Sequence, residues 1–380
     1  MLYSGRTSIL ACYLDLLIDK EMKQKVFSII LLLLGTVLSA VQLKLIDTVT
    51  LTGDGKDDFL KAPAPFAVSE DGFYLVPDYK EGDIKAFDMK GRLLKRVGRK
   101  GQGPSELIEP RDSDYQDRQL VVLDMGRRAY ILYTRDQESF FKETKYFRNM
   151  YMGNDVALMK DSKILVDGHK PDNDGNSWEL YIYDFKNGQY KHLIRTETKY
   201  GFDTFKAYEN AGEDISAIGS GGYCDWWGDY AYFTWTGNLK IFRIDLNSGK
   251  TTTFGSKTAN YQQPVATDRL KKALKEQNLK VWGQEMRKFS MIMGIYTNKN
   301  YLLVMYERPL VNGEEIKSRM LQFYSLDGTF INELQITQGS GCALYLSKDR
   351  DDGILYMITW VPATDKEDEY YQATRFKMIE

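Results

Sequence analysis

The sequence repeats the pattern of GFYLVPD (residues 72–78) five more times, as RQLVVLD (118–124), SKILVDG (162–168), DYAYFTW (229–235), KNYLLVM (299–305) and DGILYMI (352–358). Each run follows a turn and is rich in β-branched or aromatic residues, which fit the pleated, half-buried surface of a strand. The six runs therefore predict six strands that occupy equivalent positions in a repeated unit.

A second set of segments follows five of these runs at matching offsets and has the form strand, tight turn, strand. These segments are 84–97, 129–142, 180–193, 239–254 and 320–334. Turn pairs such as Asn187-Gly188 and Asp327-Gly328 supply the positive φ that short hairpins need. With one more strand before each first run, every unit contains four strands.

Four-stranded units that recur every roughly 45 to 70 residues are typical of a β-propeller, whose blades are sheets arranged around a channel. The last of the six units, which ends at 370–380, has only three strands of its own. The segment 43–51 predicts the missing strand, so the start of the chain closes the ring and covers a sheet edge. A two-domain β-sandwich would not explain why the start and the end of the chain supply complementary parts of one four-stranded unit. The predicted fold is an all-β, six-bladed β-propeller formed by residues 41–380.

Residues 267–289 interrupt the pattern between blades four and five. Three apolar residues have helical spacing while charged residues occupy the other positions: Leu270, Ala273 and Leu274. Thr267 or Asp268 can cap the start of this helix. A basic amphipathic helix can lie on a membrane surface, but this apolar stripe is narrow. We expect a helical insertion that packs on the rim of the propeller.

The apolar run 26–38 has the length of the hydrophobic segment of a signal peptide and is too short to span a bilayer comfortably. Two lysines precede it, and small residues near its end permit cleavage. We therefore expect Met22 to be the true start, residues 22–40 to be a signal peptide and residues 1–21 to be an upstream extension. The alternative is an uncleaved anchor.

An exported chain would be periplasmic or extracellular. No cysteine follows the apolar run to serve as the lipid-attachment residue of a lipoprotein, and no stable membrane span is predicted after cleavage. The exported chain retains Cys224 and Cys342, whose pairing an oxidising compartment permits. Because a whole blade separates them, and Cα atoms farther apart than about 7 Å cannot be bridged without distortion, we expect free thiols.

Composition argues against several classes of function. A formal net charge of −2 removes the electrostatic basis for nucleic-acid binding, which usually needs a strongly basic face. The chain has only two histidines and three cysteines, which argues against zinc chemistry and histidine-based catalysis.

Motifs of catalytic propellers and hydrolases are incomplete. Segment 347–360 resembles a sialidase Asp box, but Asp351 stands where that motif has glycine. The calcium candidate at 172–176 has its glycine one step early and lacks a bidentate glutamate at the right distance, so a hairpin turn explains it better. No G-x-S-x-G nucleophile motif occurs. We expect no catalytic residue, no metal and no cofactor, with calcium as the weaker alternative.

Loop lengths divide the propeller into two faces. Links between first and second strands, and between third and fourth strands, are tight turns, and their side is called the tight-turn face. Links between second and third strands, and between blades, are longer, and their side is called the long-loop face. Long loops on a rigid scaffold are where binding usually occurs. We expect a ligand site on the long-loop face and little room for one on the tight-turn face.

The channel mouth on the long-loop face gathers the starts of first strands and the ends of second strands. This placement nominates eight ligand-binding residues: Arg111, Asp124, Arg127, His169, Tyr223, Trp235, Arg308 and Trp360. Mixed aromatic and cationic side chains suit glycans, other small molecules with acidic groups, or a protein partner. Each residue can instead pack or form a salt bridge between blades.

The segment FDMKGRLLKRVGRKGQGPSELIEP (87–110), which follows 53–79, resembles a family of bacterial six-bladed β-propellers related to NHL-repeat and TolB-like propellers. The resemblance implies the six-bladed fold. The family is largely of unknown function, and its better-understood relatives are exported binding or scaffold modules. Gly98, Gly101 and Gly103 indicate a link between blades, because no helix with a free N-terminus follows a strand there to cradle a phosphate.

The sequence therefore favours an exported, non-catalytic propeller that binds a glycan, another small molecule or a protein through its long-loop face. The alternative is a glycan- or lactone-active hydrolase that uses carboxylates in the channel. The two hypotheses differ in whether carboxylates converge in the channel within about 5 to 10 Å, the separation over which glycosidase carboxyls cooperate.

Overall fold

The computed structural model describes residues 40–53, 60–148, 153–171, 177–195, 221–265, 267–276, 278–309, 318–336, 342–348, 353–364 and 368–379. Residues Leu43–Met378 form one compact unit, and within it lies the propeller. The predicted extension, the predicted signal peptide up to residue 39 and the 172–176 turn lie outside the described residues. No helix in the described part of the chain is long and apolar enough to cross a membrane.

Six four-stranded antiparallel sheets form the six blades, as predicted. The first three blades follow chain order: β2 (Ala67–Ser69), β3 (Phe73–Asp78), β4 (Asp83–Asp88) and β5 (Leu93–Val97); β6 (Pro110–Gln116), β7 (Gln119–Asp124), β8 (Ala129–Asp136) and β9 (Phe140–Arg148); β10 (Val156–Met159), β11 (Lys163–Pro171), β12 (Ser177–Asp184) and β13 (Tyr190–Arg195). A short 3-10 turn, Lys160–Ser162, joins β10 to β11.

The fourth and fifth blades repeat this order, and the sixth contains both ends of the chain. The strands are β14 (Gly222–Trp227), β15 (Tyr230–Trp235), β16 (Ile241–Asp245) and β17 (Thr251–Phe254); β18 (Met291–Thr297), β19 (Tyr301–Glu307), β20 (Arg319–Ser325) and β21 (Phe330–Gln335); β22 (Cys342–Lys348), β23 (Ile354–Val361), β24 (Tyr370–Ile379) and β1 (Gln42–Thr50). The sixth sheet has the order β1-β24-β23-β22, which confirms closure by the N-terminal strand.

Side chains and backbone both fasten β1 in place. Arg375 Nε donates to Asp47 Oδ1 at 2.7 Å, and the hydroxyls of Thr48 and Thr374 lie 3.2 Å apart. Beyond β1, Thr52 N donates to the Gly91 carbonyl of blade one at 2.8 Å. Gly91 has a φ of +82°, and a Cβ there would lie 2.1 Å from the Thr50 carbonyl oxygen. Glycine is therefore required where the closing segment meets blade one.

The hydrophobic core lies between neighbouring blades. At the first interface, Leu75 and Ile84 of blade one pack with Leu120 and Val122 of blade two, and all four side chains are fully buried. Successive side chains of a strand point to opposite faces of its sheet, so each blade packs against both neighbouring blades. Each buried aliphatic side chain contributes about 1.5–3 kcal/mol to stability.

The helical insertion between blades four and five consists of two short helices, α1 (Asp268–Lys275) and α2 (Leu279–Met286). Leu270 and Ala273 are buried, as the helical spacing predicted. The Thr267 hydroxyl accepts from Leu270 N at 3.2 Å, and Asn278 Oδ1 caps α2 by accepting from Val281 N at 3.1 Å. The insertion therefore consists of two separately capped helices rather than one.

Cys224 lies in the first strand of blade four and carries a buried thiol rather than a disulfide, as expected. Its Sγ contacts the Leu165 carbonyl of blade three at 3.6 Å. The side chain of Cys342 lies outside the described residues.

We expect removal of residues 41–52 to open the ring. A chain that begins at residue 53 loses β1, the Asp47–Arg375 pair and buried Leu51, which alone contributes about 1.5–3 kcal/mol. Thermal melts followed by far-UV circular dichroism should show a lower and broader transition than for a chain that begins at residue 41. Equal midpoints and equally sharp transitions would contradict closure by β1.

Candidate functional site

The first strands of the six blades surround a narrow central channel. A cavity of about 50 Å³ lies in it. Its lining comes from every blade and includes Phe66, Asp112, Asp155, Tyr223, Asp225, Tyr296, Leu346 and Ser347. Most of the polar residues in this lining are aspartates and tyrosines. Whether the channel could act on a substrate therefore depends on whether its carboxylates are already bonded within the protein.

Four channel aspartates accept backbone N–H groups from the first strand of the next blade. Asp112 and Asp114 of blade two accept from Val156 N at 2.7 Å and Leu158 N at 2.8 Å. A first strand has no neighbouring strand on its channel side, and an unpaired buried N–H is costly. The carboxylates therefore take the place of a missing strand along this inner edge.

The same arrangement continues around the ring. Asp155 Oδ2 of blade three accepts from Cys224 N at 2.7 Å. Asp225 Oδ2 of blade four accepts from Thr297 N at 2.5 Å and from the Thr297 hydroxyl at 2.9 Å. Blades two to five are thus joined by aspartates that lie in one first strand, or directly before it in the case of Asp155, and accept from the next first strand.

Asp112 and Asp155 converge on one donor. Val156 N donates to Asp112 Oδ2 at 2.7 Å and to Asp155 Oδ1 at 3.1 Å. Burial, the charge of Asp155 and a hydrogen bond between the two carboxyl groups raise the pKa of Asp112 well above its usual value. Two charged carboxylates in this position would repel each other, which favours the protonated form of Asp112.

A second set of aspartates lies in the second strands of blades one to three, and in blades one and two it occupies the strand end. Asp78 accepts from Lys61 N and Ala62 N, at 2.7 and 3.1 Å. Asp124 accepts from Ile108 N and Glu109 N, both at 2.9 Å. Each carboxylate fixes the segment that leads into the first strand of its own blade, which explains the aspartate at the end of the repeated runs.

Asp167 is the third member of this set and is the most enclosed. It accepts from Asn154 N, Asp155 N and Gly222 N, at 3.1, 2.9 and 2.7 Å. Burial raises the pKa of Asp167 to about 7, although these bonds oppose the rise. A Cβ at residue 153 would lie 2.0 Å from the carboxyl group, so Gly153 lets the backbone approach it closely.

The mouth of the channel on the long-loop face combines arginines with tyrosines. Arg111 lies over the ring of Tyr79 with 4.0 Å from Cζ to the centroid, and its Nε donates to Glu109 Oε1 at 2.8 Å. Tyr223 lines the channel, and burial raises the pKa of its hydroxyl. Burial also raises the pKa of Tyr345, an effect that the charges of Arg319 and Arg111 oppose.

Among the eight nominated residues, Tyr223 lines the channel cavity, and Arg111 lies over the ring of Tyr79. Arg127 donates to the Glu106 carbonyl at 2.5 Å and lies over Tyr146 at 4.8 Å. Asp124 is fully buried and binds backbone, so a role in folding accounts for it. Its carboxylate is directed at the loop before β6.

The other nominated residues are dispersed. Trp235 donates through Nε1 to Glu179 and packs against Phe242, with ring centroids 4.9 Å apart. Arg308 Nη2 lies 3.2 Å from the Ser318 hydroxyl. Trp360 Nε1 lies 3.2 Å from Glu369 Oε2 on the facing strand end. His169 belongs to β11, and its side chain lies outside the described residues.

Sequence reasoning missed Tyr79, Tyr345 and Arg319. Tyr79 follows the end of a second strand, so the rule that nominated Trp235 could have found it. Arg319 begins a third strand, and Tyr345 follows a bulge in β22 between Ala343 and Tyr345. Neither position was covered by that rule.

The tight-turn face also contains a recess. It measures about 490 Å³ between blades one and two and is lined by charged residues, among them Asp71, Lys95, Arg118 and Arg135. This corrects the expectation that the tight-turn face leaves little room. Arg135 is held there, because it donates to the Phe140 carbonyl at 2.8 Å and lies 3.8 Å over that residue's ring.

In the described part of the chain, no group of three or more His, Cys, Asp or Glu residues is arranged so that it could hold a metal ion. The channel carboxylates instead bind backbone N–H groups.

We expect Asp112→Asn to remove a pH dependence of stability. An aspartate whose folded pKa exceeds its unfolded value of about 4 stabilises the fold at low pH, and this contribution is lost as the pH rises through the folded pKa. An asparagine amide can donate to Asp155 as the protonated carboxyl does, but it does not titrate. Denaturant unfolding from pH 4 to pH 8 should show the variant gaining on the wild type by up to about 1.4 kcal/mol per pH unit.

Asp112→Ala is the matched control, because it removes the acceptor of Val156 N and should destabilise the protein at every pH. A difference between Asp112→Asn and the wild type that does not change with pH would contradict the raised pKa of Asp112.

Three solved structures resemble this chain over most of its length. A member of the DUF4221 family from Bacteroides vulgatus has a TM-score of 0.62 at 15% sequence identity, covering 90% of this chain and 99% of that chain. A Bacteroides fragilis protein that is named as exported has a TM-score of 0.59 at 12% identity, covering 89% and 96%. A Bacteroides thetaiotaomicron protein of unknown function has a TM-score of 0.51 at 10% identity, covering 89% and 76%.

No family model matches the sequence, and no curated protein matches it. At these identities the structural similarity shows the fold alone. It agrees with the resemblance drawn from segment 87–110, and the chain has the six-bladed β-propeller fold with similarity to these Bacteroides proteins.

Proposed function

We propose that the protein is an exported, non-catalytic propeller that binds a ligand at the channel mouth of its long-loop face. The observation that carries this proposal is the mouth itself, where Arg111, Tyr79, Tyr223 and Tyr345 offer cationic and aromatic surface above a channel closed to larger molecules. Aromatic rings with a few polar groups are typical of small-molecule and glycan sites.

Export is supported by two observations. The apolar run 26–38 has the form of a signal peptide. A structurally similar Bacteroides fragilis protein is named as exported. The proposed ligand is therefore one that an extracellular or periplasmic protein meets, such as a glycan, another small molecule or a protein.

The hydrolase alternative has one observation in its favour, because Asp112 and Asp155 do converge in the channel. Two features weigh against it. Glycosidase carboxyls stand about 5 to 9.5 Å apart around the substrate, whereas these two bond to each other. The cavity of about 50 Å³ holds a few water molecules, and ligand pockets usually measure about 300–1,000 Å³.

A binding screen tests the proposal. The chain 41–380 is tested by thermal shift against neutral and acidic glycans and metabolites, and each binding molecule is incubated with the protein and analysed for products. Binding without turnover supports the proposal. Product formation that Asp155→Ala abolishes would favour the hydrolase instead.

We expect Tyr345→Ala to weaken binding of any molecule found in that screen. Loss of a buried aromatic anchor typically costs about 1–3 kcal/mol, or about 5- to 150-fold in affinity. Isothermal titration calorimetry measures the affinity, and a thermal melt of the same sample separates lost binding from lost folding.

Lys95→Ala is the control, because Lys95 lines the recess on the opposite face. Weaker binding by Lys95→Ala together with unchanged binding by Tyr345→Ala would move the site to the tight-turn face and contradict the proposal.

A further inference from the structure

Arg319 is a buried arginine at the long-loop end of blade five. It is the first residue of β20 and lies opposite Glu307, the last residue of β19. Its Nη2 is 2.8 Å from Glu307 Oε1, and only 8% of its side chain is exposed. Glu307 therefore balances the charge of the guanidinium but takes up only part of its hydrogen-bonding capacity.

Two donor atoms of Arg319 remain unused. Nε and Nη1 are buried, and neither has a hydrogen-bond partner in the structure as described here. A guanidinium carries five N–H donors and no acceptor, so these groups can be satisfied only by an oxygen or another acceptor brought to them. A buried donor of a charged group without an acceptor is unfavourable and rare in folded proteins.

Arg319 precedes Met320, which packs in the same hydrophobic cluster as Tyr223, and the charge of Arg319 acts on two tyrosines of the proposed site. Burial raises the pKa of Tyr223 on blade four and of Tyr345 on blade six, and the charge of Arg319 opposes both increases. The charge of Arg319 thus affects the pKa of one tyrosine on each of the two blades next to blade five. The charge of Arg111 also opposes the rise in the pKa of Tyr345, so two arginines affect the same hydroxyl.

We propose that Arg319 binds an oxyanion, the carboxylate or phosphate group of the ligand that occupies the channel mouth. The acidic group accepts hydrogen bonds from the unused donors, and the rings of Tyr223 and Tyr345 contact the rest of the ligand. This inference rests on the proposed function and narrows it to acidic ligands, of which a sugar acid or a sugar phosphate combines both features. Because Nε and Nη1 are screened from solvent, binding includes a turn of the guanidinium toward the mouth.

Pairs of probes that differ only in the acidic group test this inference. Galactose is compared with galacturonate, and glucose with glucose 6-phosphate, by isothermal titration calorimetry on the chain 41–380. We expect an acidic member to bind more tightly than its neutral partner, and the two pairs distinguish a carboxylate from a phosphate.

Arg319→Lys is the diagnostic variant. A lysine keeps the charge opposite Glu307, so the fold is retained, but it lacks the two unused donors. We expect the affinity for the acidic probe to fall at least about tenfold, because hydrogen bonds between charged groups are lost. Arg92→Lys is the control, since Arg92 is exposed on the tight-turn face and pairs with Asp88.

Glu307→Gln should change the affinity for the acidic probe in the opposite direction. It removes the competing carboxylate, leaves Arg319 in place and should tighten binding of the acidic probe. This variant decides the question even if Arg319→Lys folds poorly, since weaker or unchanged binding would contradict the inference.

Two outcomes would overturn the inference. One is that no acidic probe binds more tightly than its neutral partner, and the other is that Arg92→Lys lowers affinity as much as Arg319→Lys. If a neutral molecule binds and Tyr345→Ala weakens it while Arg319→Lys does not, the proposed function stands and the acidic ligand class is wrong. If no molecule binds at the long-loop face, the proposed function fails as well.

Discussion

The inner edge of each blade needs hydrogen-bond partners, and this need governs the rest of the structure. A first strand bonds to the second strand on one side and faces the channel on the other, where no strand follows. Asp112, Asp155 and Asp225 supply the missing acceptors by reaching to the next blade. The aspartates at the ends of second strands perform a similar task for the loops, as Asp124 does for Ile108 N. Hydrogen bonds from backbone N–H groups to buried carboxylates therefore connect neighbouring blades along the channel.

This use of carboxylates determines where function can lie. The channel contains several carboxylates, but they accept hydrogen bonds from backbone N–H groups. The pKa of one of them, Asp112, is raised well above its usual value. The cavity between them is small. At the long-loop end of blade five, by contrast, Arg319 has two buried donor atoms without a hydrogen-bond partner in the described part of the chain. The proposed binding at the mouth would leave the channel carboxylates to their structural role.

Much of the fold could be predicted from sequence, because strands, turns and chain closure leave local patterns. The repeated runs gave the blades, and the incomplete last unit gave the pairing of β1 with β24. The site was less predictable. Asp124 was nominated for its position but binds backbone, and Arg319 was missed because it begins a third strand. Whether a carboxylate faces a ligand or an N–H group of the next blade depends on contacts between residues 44 to 72 positions apart in sequence, such as Asp112 with Val156 and Asp225 with Thr297.

Hydrogen–deuterium exchange in Asp225→Ala tests this account most directly. Asp225 accepts both the backbone N–H and the hydroxyl of Thr297, so its removal should leave the inner edge of β18 without an acceptor. We predict faster exchange in the peptide that contains Met291–Thr297, with little change in the peptide that contains Pro110–Gln116 on the far side of the ring. Unchanged protection of Met291–Thr297 in a folded Asp225→Ala protein would contradict the claim that channel carboxylates hold the blades together.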